Sequence, residues 1–177
     1  MPLQPALLPM VEMIGSLSEQ IKAYEKKLAE VVEQRYPEAR LLLAIHGVGV
    51  LTALSFVLVL EDPERFATSR SVGPYLGMVP AEDASGESRR RLRITKEGDE
   101  LLRRLLVQCG HYILGPFGRD CDLRRHGLRI VQQGGQRAKK RAAVAVARKL
   151  AVLMHHLWRH EALYDPDYLL KRQRPAA

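Results

Sequence analysis

Residues 76–104 read LGMVPAEDASGESRRRLRITKEGDELLRR and join a small hydroxyl-bearing pair to a run of positive charge. Ser85 and Gly86 stand in a polar stretch, where glycine lets the backbone approach a ligand closely or adopt a positive φ. The basic residues that follow can pair with phosphate oxygens, and they are Arg89, Arg90, Arg91, Arg93 and Lys96. The pattern suits chemistry on a phosphodiester. The alternative is an ordinary turn followed by a solvated basic face.

The residues after this basic run predict an extended segment and then an amphipathic helix. Leu92 and Ile94 alternate with arginines, as in a short strand or an extended arm. Asp99 is a suitable N-cap for the helix. Its apolar face comprises Leu102, Leu105, Leu106, Cys109 and Ile113. Arg103 and Arg104 are expected to lie outside the core.

Residues 38–54, EARLLLAIHGVGVLTAL, have the layout of a helix-hairpin-helix unit. Gly47 and Gly49 permit a tight turn between two short helices, and the free amides that begin the second helix can bind a phosphate oxygen. We therefore predict Gly47 and Gly49 as nucleic-acid contacts. The alternative is an ordinary turn between two helices of the core.

The N-terminal segment predicts one long helix from Met10 to about Arg35, bounded by Pro9 and Pro37. Its apolar residues follow alternating steps of four and three, which define a heptad seam: Met10, Ile14, Leu17, Ile21, Tyr24, Leu28 and Val31. This seam predicts a coiled-coil arm through which two copies of the chain associate. The alternative is a single amphipathic helix that lies on its own domain.

The C-terminal part contains a second strongly basic segment. Residues 118–136 are polar and contain glycine, which fits either a mobile loop or a short helix. A long helix follows over about residues 137–160, with its core face at Val144, Ala147, Ala151, Met154 and Trp158. A separate stripe on that helix comprises Arg137, Arg141, Arg148, His155 and Arg159. We predict nucleic-acid contacts at Arg137, Lys140, Arg141 and Arg148.

Composition and charge bound the class of protein. The chain has 177 residues, is 46% hydrophobic and carries a net charge of +8. Residues 1–60 hold five Lys or Arg and six Asp or Glu, so the positive charge lies in the rest of the chain. This excess predicts a polyanionic partner, nucleic acid first and an anionic membrane surface second. No apolar run is long enough for a membrane span, and we see no signal peptide.

The cysteines and histidines give little sign of a disulfide or a metal. Cys109 and Cys121 form no disulfide framework and fit a reducing cytoplasm. His156 and His160 are one helical turn apart, but no CxxC or HExxH motif accompanies them. We expect these residues, and the adjacent Glu82-Asp83, to be packing or surface residues and not metal ligands.

These elements predict an all-α fold, mainly helical, with a short β element allowed near residues 76–95. Residues 1–37 would form the dimerisation helix, residues 38–164 the compact helical domain, and residues 165–177 a loosely held tail.

Four segments in this order resemble the C-terminal transposase domain of the bridge-RNA-guided insertion-sequence recombinases. They are IHGVGVLTA, ERFATSRSVGPYLGMVP, ASGESRRRLRITKEGDELLRRLLVQ and KKRAAVAVARKLAVLMHHLW. The resemblance spans residues 41–158, and the heptad helix resembles the coiled coil that precedes this domain in the family.

The resemblance implies a serine recombinase that joins DNA strands through a covalent protein–DNA intermediate. The family's Ser-Gly nucleophile falls on Ser85-Gly86, and Ser88 is the local competitor without a following glycine. Arg89, Arg90, Arg91 and Lys96 would neutralise charge or position phosphates. DNA and a structured guide RNA are the implied partners.

The chain departs from the family pattern at its N-terminal side. Full members carry an RNase-H-like domain whose four acidic residues bind magnesium, and the first forty residues here contain no such domain. Magnesium is therefore expected from that domain and no cofactor from this chain. A truncated transposase and a fragment of a longer protein both fit, as does a catalytically inactive remnant that only binds nucleic acid. A helical module for an acidic protein partner is a further alternative.

Overall fold

A computed structural model describes residues 4–85 and 88–173, with the side chains of residues 7–81 and 93–172. The helices are α1 (Gln4–Arg35), α2 (Pro37–Leu42), α3 (Val50–Leu60), α4 (Val72–Tyr75), α5 (Glu100–Leu114), α6 (Asp122–Gln132), α7 (Ala138–Arg159) and α8 (Tyr168–Gln173). The strands are β1 (Pro80–Ser85) and β2 (Ser88–Ile94), and short 3-10 turns cover Pro63–Arg65 and Ser69–Ser71. The predicted mainly helical fold with a short β element is confirmed.

Helix α1 extends away from the core for most of its length. Its five N-terminal seam residues, from Met10 to Tyr24, are 51% to 65% exposed, whereas Leu28, Val31 and Val32 pack against the core. The alternative of a helix lying on its own domain is therefore wrong for residues 7–24. The prediction that Pro9 bounds the helix is also wrong, because α1 continues through it. Pro9 removes only one backbone donor, and water can bind the carbonyl left free on this exposed helix.

Helices α2 and α3 are joined by a turn over residues 43–49. Gly47 has φ of 96° in the connecting turn, and Gly49 is the extended N-cap residue of α3. A Cβ at Gly47 would lie 3.0 Å from Ile113 Cγ1 and 3.1 Å from Tyr112 Cδ1. The turn therefore packs tightly on the C-terminal end of α5.

The two strands form one antiparallel hairpin. Pro80 pairs with Ile94 and Ser85 pairs with Ser88, with a register shift between Pro80 and Glu82. A bulge of this kind bends a strand and increases its twist. The extended segment predicted around Leu92 and Ile94 is thus a strand of a two-stranded sheet.

Helix α5 begins as the sequence predicts, with the Asp99 carboxylate accepting a hydrogen bond from the Leu102 amide at 2.6 Å. Leu102, Leu106 and Ile113 are buried. Arg103 contradicts the prediction that it lies outside the core, because it is only 8% exposed. Its guanidinium can be buried because backbone carbonyl oxygens surround it and accept its hydrogen bonds.

Helix α7 is the centre of the core and packs against α2, α4, α5 and α6. Its small buried residues allow close helix crossings. A Cβ at Gly110 of α5 would lie 2.5 Å from the Ala143 carbonyl oxygen, and a Cβ at Gly127 of α6 would lie 2.7 Å from Val146 Cγ2. These two glycines are therefore needed for space, since any side chain would push α5 or α6 away from α7.

His155 contradicts its predicted place in the basic stripe of α7, because it is fully buried. Its Nδ1 lies 2.9 Å from Ser69 Oγ and its Nε2 lies 2.9 Å from the Pro63 carbonyl oxygen. Because the carbonyl can only accept, the Nε2–H donates to it. Burial, with a smaller effect from Arg159, lowers the pKa of His155. This neutral imidazole fixes the two 3-10 turns to the core.

Residues 118–136 were predicted to form either a mobile loop or a short helix. The structure shows the helix, α6. Arg125 of α6 makes ion pairs with Asp120, with Asp122 at 3.0 Å and with Asp167 at 2.6 Å. These carboxylates raise the pKa of Arg125 further above its already high value. The residues of the predicted loose tail are therefore held against α6 by these contacts, up to and including α8.

No helix in the described part of the chain combines the length and the hydropathy that a membrane span requires. Cys109 and Cys121 are both free and buried. Burial raises the pKa of the Cys109 thiol, which keeps it protonated.

Candidate nucleic-acid interface

The hairpin joins the core through two tightly packed segments, one with Gly77 before β1 and one with Gly98 after β2. We call this junction the hairpin root. Gly77 and Gly98 have φ of 63° and 83°. A Cβ at Gly77 would overlap the Glu97 backbone, and a Cβ at Gly98 would overlap the Tyr75 carbonyl oxygen. The segments that lead into β1 and out of β2 therefore cross in direct backbone contact, which only glycine permits at these two positions.

The buried Arg103 of α5 also stabilises the hairpin root. Its Nη1 lies 3.3 Å from the Leu76 carbonyl oxygen and 3.1 Å from that of Glu97. The carbonyl oxygens of Gly98 and Asp99 lie 3.4 Å away. A guanidinium is suited to this role because it is always charged and carries several fixed donors. Arg103 thus joins both ends of the hairpin to α5 and fixes the direction in which the hairpin projects.

Most of the predicted catalytic stretch lies on this hairpin. The backbone register places Ser85 opposite Ser88, Ala84 opposite Arg89, Asp83 opposite Arg90 and Glu82 opposite Arg91. Gly86 lies outside the described residues, as do the side chains of Ser85 and of Arg89, Arg90 and Arg91. The structure therefore places the backbone of the proposed nucleophile at the end of β1.

Two of the predicted basic contacts lie at the hairpin root. Arg93 and Lys96 are both exposed, and the Lys96 backbone donates a hydrogen bond to the Gly77 carbonyl oxygen at 3.0 Å. Lys96 has φ of 61°, so its backbone turns sharply between β2 and α5. Arg148 of α7 lies nearby, since a Cβ at Gly73 would come within 3.1 Å of its Nε. The structure brings these cations to the hairpin root from two separate parts of the chain.

The remaining α7 contacts cluster where that helix begins. Arg137 is the N-cap residue in a left-handed conformation, and Lys140 and Arg141 follow, all three exposed. Arg141 Nη2 donates to the Gly134 carbonyl oxygen at 2.9 Å. Cations at a helix N-terminus are unfavourable with the helix dipole, so an anion bound there would relieve the repulsion.

Gly47 and Gly49 are not brought together with the hairpin. Their turn contacts Tyr112 and Ile113, whereas the hairpin root contacts the first turn of α5. These two ends of α5 lie about 20 Å apart at 1.5 Å per residue. Gly49 is exposed, and a Cβ there would meet nothing within 4 Å.

Sequence reasoning missed a second group of cations between α6 and α7. Burial first, and then Arg129, lowers the pKa of the Lys149 ammonium. Burial also lowers the pKa of His126, helped by Lys149 and Arg129. The signal was hidden because Arg129 and Lys149 lie on different helices and look like isolated surface cations in the sequence.

No group of three or more His, Cys, Asp or Glu residues in the described part of the chain is arranged to hold a metal ion. His156 and His160 have ring centroids 4.6 Å apart on the outer face of α7. The side chains of Glu82 and Asp83 lie outside the described residues.

Comparison with known proteins finds a match to a transposase family model in the central part of the chain. Residues 39–115 match the model of the transposase IS116/IS110/IS902 family. A Pseudomonas aeruginosa protein named as a probable family 20 transposase is 29% identical over 92% of this chain and 49% of its own length. The Coxiella burnetii transposase for insertion sequence element IS1111A is 30% identical over 86% of this chain and 39% of its own length.

A third relative carries a different name. The Moraxella lacunata pilin gene-inverting protein is 27% identical over 72% of this chain and 38% of its own length. The chain spans less than half the length of each of these three relatives. The similarity of this chain to the transposase IS116/IS110/IS902 family is therefore carried by residues 39–115, which match the family model.

Proposed function

We propose that this chain is the DNA-binding, strand-joining part of a transposase that acts in DNA transposition, with Ser85 as its nucleophile. The observation that carries the proposal is the family match over residues 39–115, because that range contains the whole hairpin with its Ser-Gly pair. Relatives named as transposases for insertion sequence elements support the same role.

The proposed reaction is a transesterification at phosphorus. The Ser85 hydroxyl oxygen forms a bond to phosphorus while the bond from phosphorus to one deoxyribose oxygen breaks, and the proton lost by the serine is balanced by one gained at the departing oxygen, which becomes a free hydroxyl. The strand then remains attached to the protein until another strand end displaces the serine. The arginines of β2 are close in sequence and would stabilise the negative charge that develops on the phosphate oxygens.

Binding of the DNA backbone would use the cations around the hairpin root and at the beginning of α7. Arg93, Lys96 and Arg148 lie at the root, and Arg137, Lys140 and Arg141 lie at the N-terminal end of α7. The turn between α2 and α3 would bind a third phosphate through backbone amides. Such contacts set the position of the DNA and do not read its sequence. A guide RNA would supply that reading by base pairing.

We assign magnesium binding only to a separate acidic domain. When bound there, the ion would neutralise charge on the phosphate. The described residues of this chain contain no cluster suited to a metal, so we assign no magnesium ligand to them. We also propose a cytoplasmic location and self-association through α1.

The test is a covalent trap in a reconstituted assembly. The chain would be combined with labelled DNA and with the acidic domain and guide RNA of a complete relative, and the protein–DNA adduct would be measured on a denaturing gel. Ser85→Ala is expected to abolish the adduct. Ser88→Ala is the matched control and is expected to retain it, because Ser88 lacks the following glycine.

Two other results would change the assignment. An adduct that survives Ser85→Ala would show that another residue is the nucleophile. Tight DNA binding with no adduct from the parent chain would favour the inactive, nucleic-acid-binding remnant.

A further inference from the structure

A groove lies beside the hairpin root, between the outer face of α5 and helix α7. It has a volume of about 440 Å³, within the range of about 300 to 1,000 Å³ that is usual for small-ligand clefts. The residues that form it include Ile94, Arg104, Val107, Gln108, His111 and Val144. The buried Arg103 also contributes. The groove therefore begins where β2 ends and runs along α5.

The floor of this groove is apolar and its α5 wall is polar. Ile94, Val107 and Val144 are partly buried aliphatic side chains from three different elements. Arg104, Gln108 and His111 are exposed and follow one another at steps of four and three along α5, so they lie on one face. Among the described side chains, none of these three forms a side-chain hydrogen bond within the protein, which leaves their donors free for a ligand.

The charge of the groove favours an anionic ligand. Among the described residues that form it, Arg104 is exposed and none is Asp or Glu, while the buried Arg103 guanidinium is directed at the carbonyl oxygens of the hairpin root. Lys140 and Arg148 stand one turn before and one turn after Val144 on α7, and both are exposed. An occupant with an apolar face and a negative charge would satisfy the floor and the rim together. An unpaired nucleotide has these properties, because its base offers a flat face and polar edges while its phosphate carries the charge.

We infer that the α5–α7 groove binds one unpaired nucleotide of a DNA strand, with the base against Val107 and Val144 and a phosphate at Arg104. Gln108 and His111 are placed to hydrogen-bond the edge of the base. A paired base in a duplex is stacked and cannot present its face in this way. The ligand is taken to be DNA because the groove adjoins the hairpin that carries the proposed DNA nucleophile, so the inference rests on the proposed function.

The groove is separate from the proposed point of chemistry. β2 runs six residues from Ile94 to Ser88, which is about 20 Å in an extended strand. A nucleotide in the groove would therefore hold the strand several nucleotides away from the phosphate that Ser85 attacks. Changes in the groove are expected to alter binding of single strands and not the identity of the nucleophile.

The experiment measures binding of the full chain to a fluorescein-labelled oligothymidine of twelve nucleotides and to a blunt duplex of the same length. Arg104→Glu is expected to weaken binding of the single strand about tenfold, since it removes one phosphate contact and adds repulsion. Arg172→Glu, in exposed α8, makes the same change in net charge far along the chain and is expected to change it less than about twofold. Gln108→Glu, which keeps the size of the side chain, is expected to act like Arg104→Glu.

Several outcomes would overturn the inference. Equal effects of Arg104→Glu and Arg172→Glu on the single strand would show that only net charge matters. A larger effect of Arg104→Glu on the duplex than on the single strand would contradict the unpaired base. Tighter, Arg104-dependent binding of an oligouridine would make RNA the ligand. Displacement of the probe by poly-glutamate as effectively as by unlabelled oligothymidine would show that the groove recognises charge without a base.

The test also separates this inference from the function on which it rests. Normal duplex binding with no dependence on the groove variants would defeat the inference and leave the proposed function standing. Absence of binding to either form of DNA would defeat both.

Discussion

Gly98 is the residue on which the direction of the hairpin depends most directly. It has φ of 83° and its backbone touches the Tyr75 carbonyl oxygen. Gly98→Ala is expected to lower the free energy of unfolding by at least about 2 kcal/mol, because the new methyl group adds overlap to an unfavourable backbone conformation. Urea unfolding followed by circular dichroism would measure this.

Gly15 in α1 provides the matched control for this substitution. A Cβ at Gly15 meets nothing within 4 Å, and its φ is not positive. Gly15→Ala is expected to be neutral or to stabilise the helix by up to about 1 kcal/mol. Equal stability of Gly98→Ala and the parent chain would mean that the root is not packed as described.

Arg103 and His155 show where single residues escape sequence reasoning. Arg103 stands beside Arg104 and His155 beside His156, and an arginine or histidine in such a pair is expected on the surface. Arg103 is buried because four backbone carbonyls, two of them from opposite ends of the hairpin, converge on its guanidinium. His155 is buried because Pro63 and Ser69 meet its two ring nitrogens. These partners lie up to 92 residues away, so no local pattern could predict them.

At the scale of elements, local signals predicted most helices and one of the two strands, whereas β1 falls in a stretch that the sequence indicated only as polar. The Asp99 cap and the apolar spacing fixed α5, and the alternation around Leu92 and Ile94 indicated β2. The sequence did not distinguish a loop from a helix in residues 118–136. The reason is that α6 carries arginines whose partners, such as Asp167, come from the distant tail. The groove between α5 and α7 could not be predicted, because its two walls are joined only by tertiary packing.

Helix α1 carries the clearest unpartnered surface among the elements. Its seam residues Ile14, Leu17 and Ile21 are all more than half exposed. Burying them against a second copy is expected to stabilise a dimer, because each fully buried Leu or Ile contributes roughly 1.5–3 kcal/mol. We therefore predict that the chain is a dimer at micromolar concentration and that Ile21→Asp makes it monomeric in light scattering.

The control for this prediction lies on the same helix. Ala23→Asp adds the same charge two residues further on, outside the seam, and is expected to leave the dimer intact. A parent chain that stays monomeric at high concentration, or a dimer that tolerates Ile21→Asp, would contradict association through the seam.

At the scale of the whole molecule, the charge distribution follows the fold. The first sixty residues hold slightly more acid than base, so α1 contributes none of the net charge of +8. In the described residues, acidic side chains engage Arg40, Arg65, Arg125, Arg159 and Lys171 in ion pairs. The cations at the hairpin root and the beginning of α7 lie outside these pairs. Positive charge is thus left available at the proposed DNA contacts.

A salt titration of binding to duplex DNA tests this account most directly. If the cations at the hairpin root and on α7 neutralise phosphates, the logarithm of the binding constant should fall linearly with the logarithm of salt concentration, by about 0.9 per phosphate contacted. Lys140→Gln should reduce that slope by about one contact. Tight binding at low salt with a steep slope is the predicted result. No binding at low salt, or an affinity that does not change with salt, would contradict the assignment of this chain to DNA.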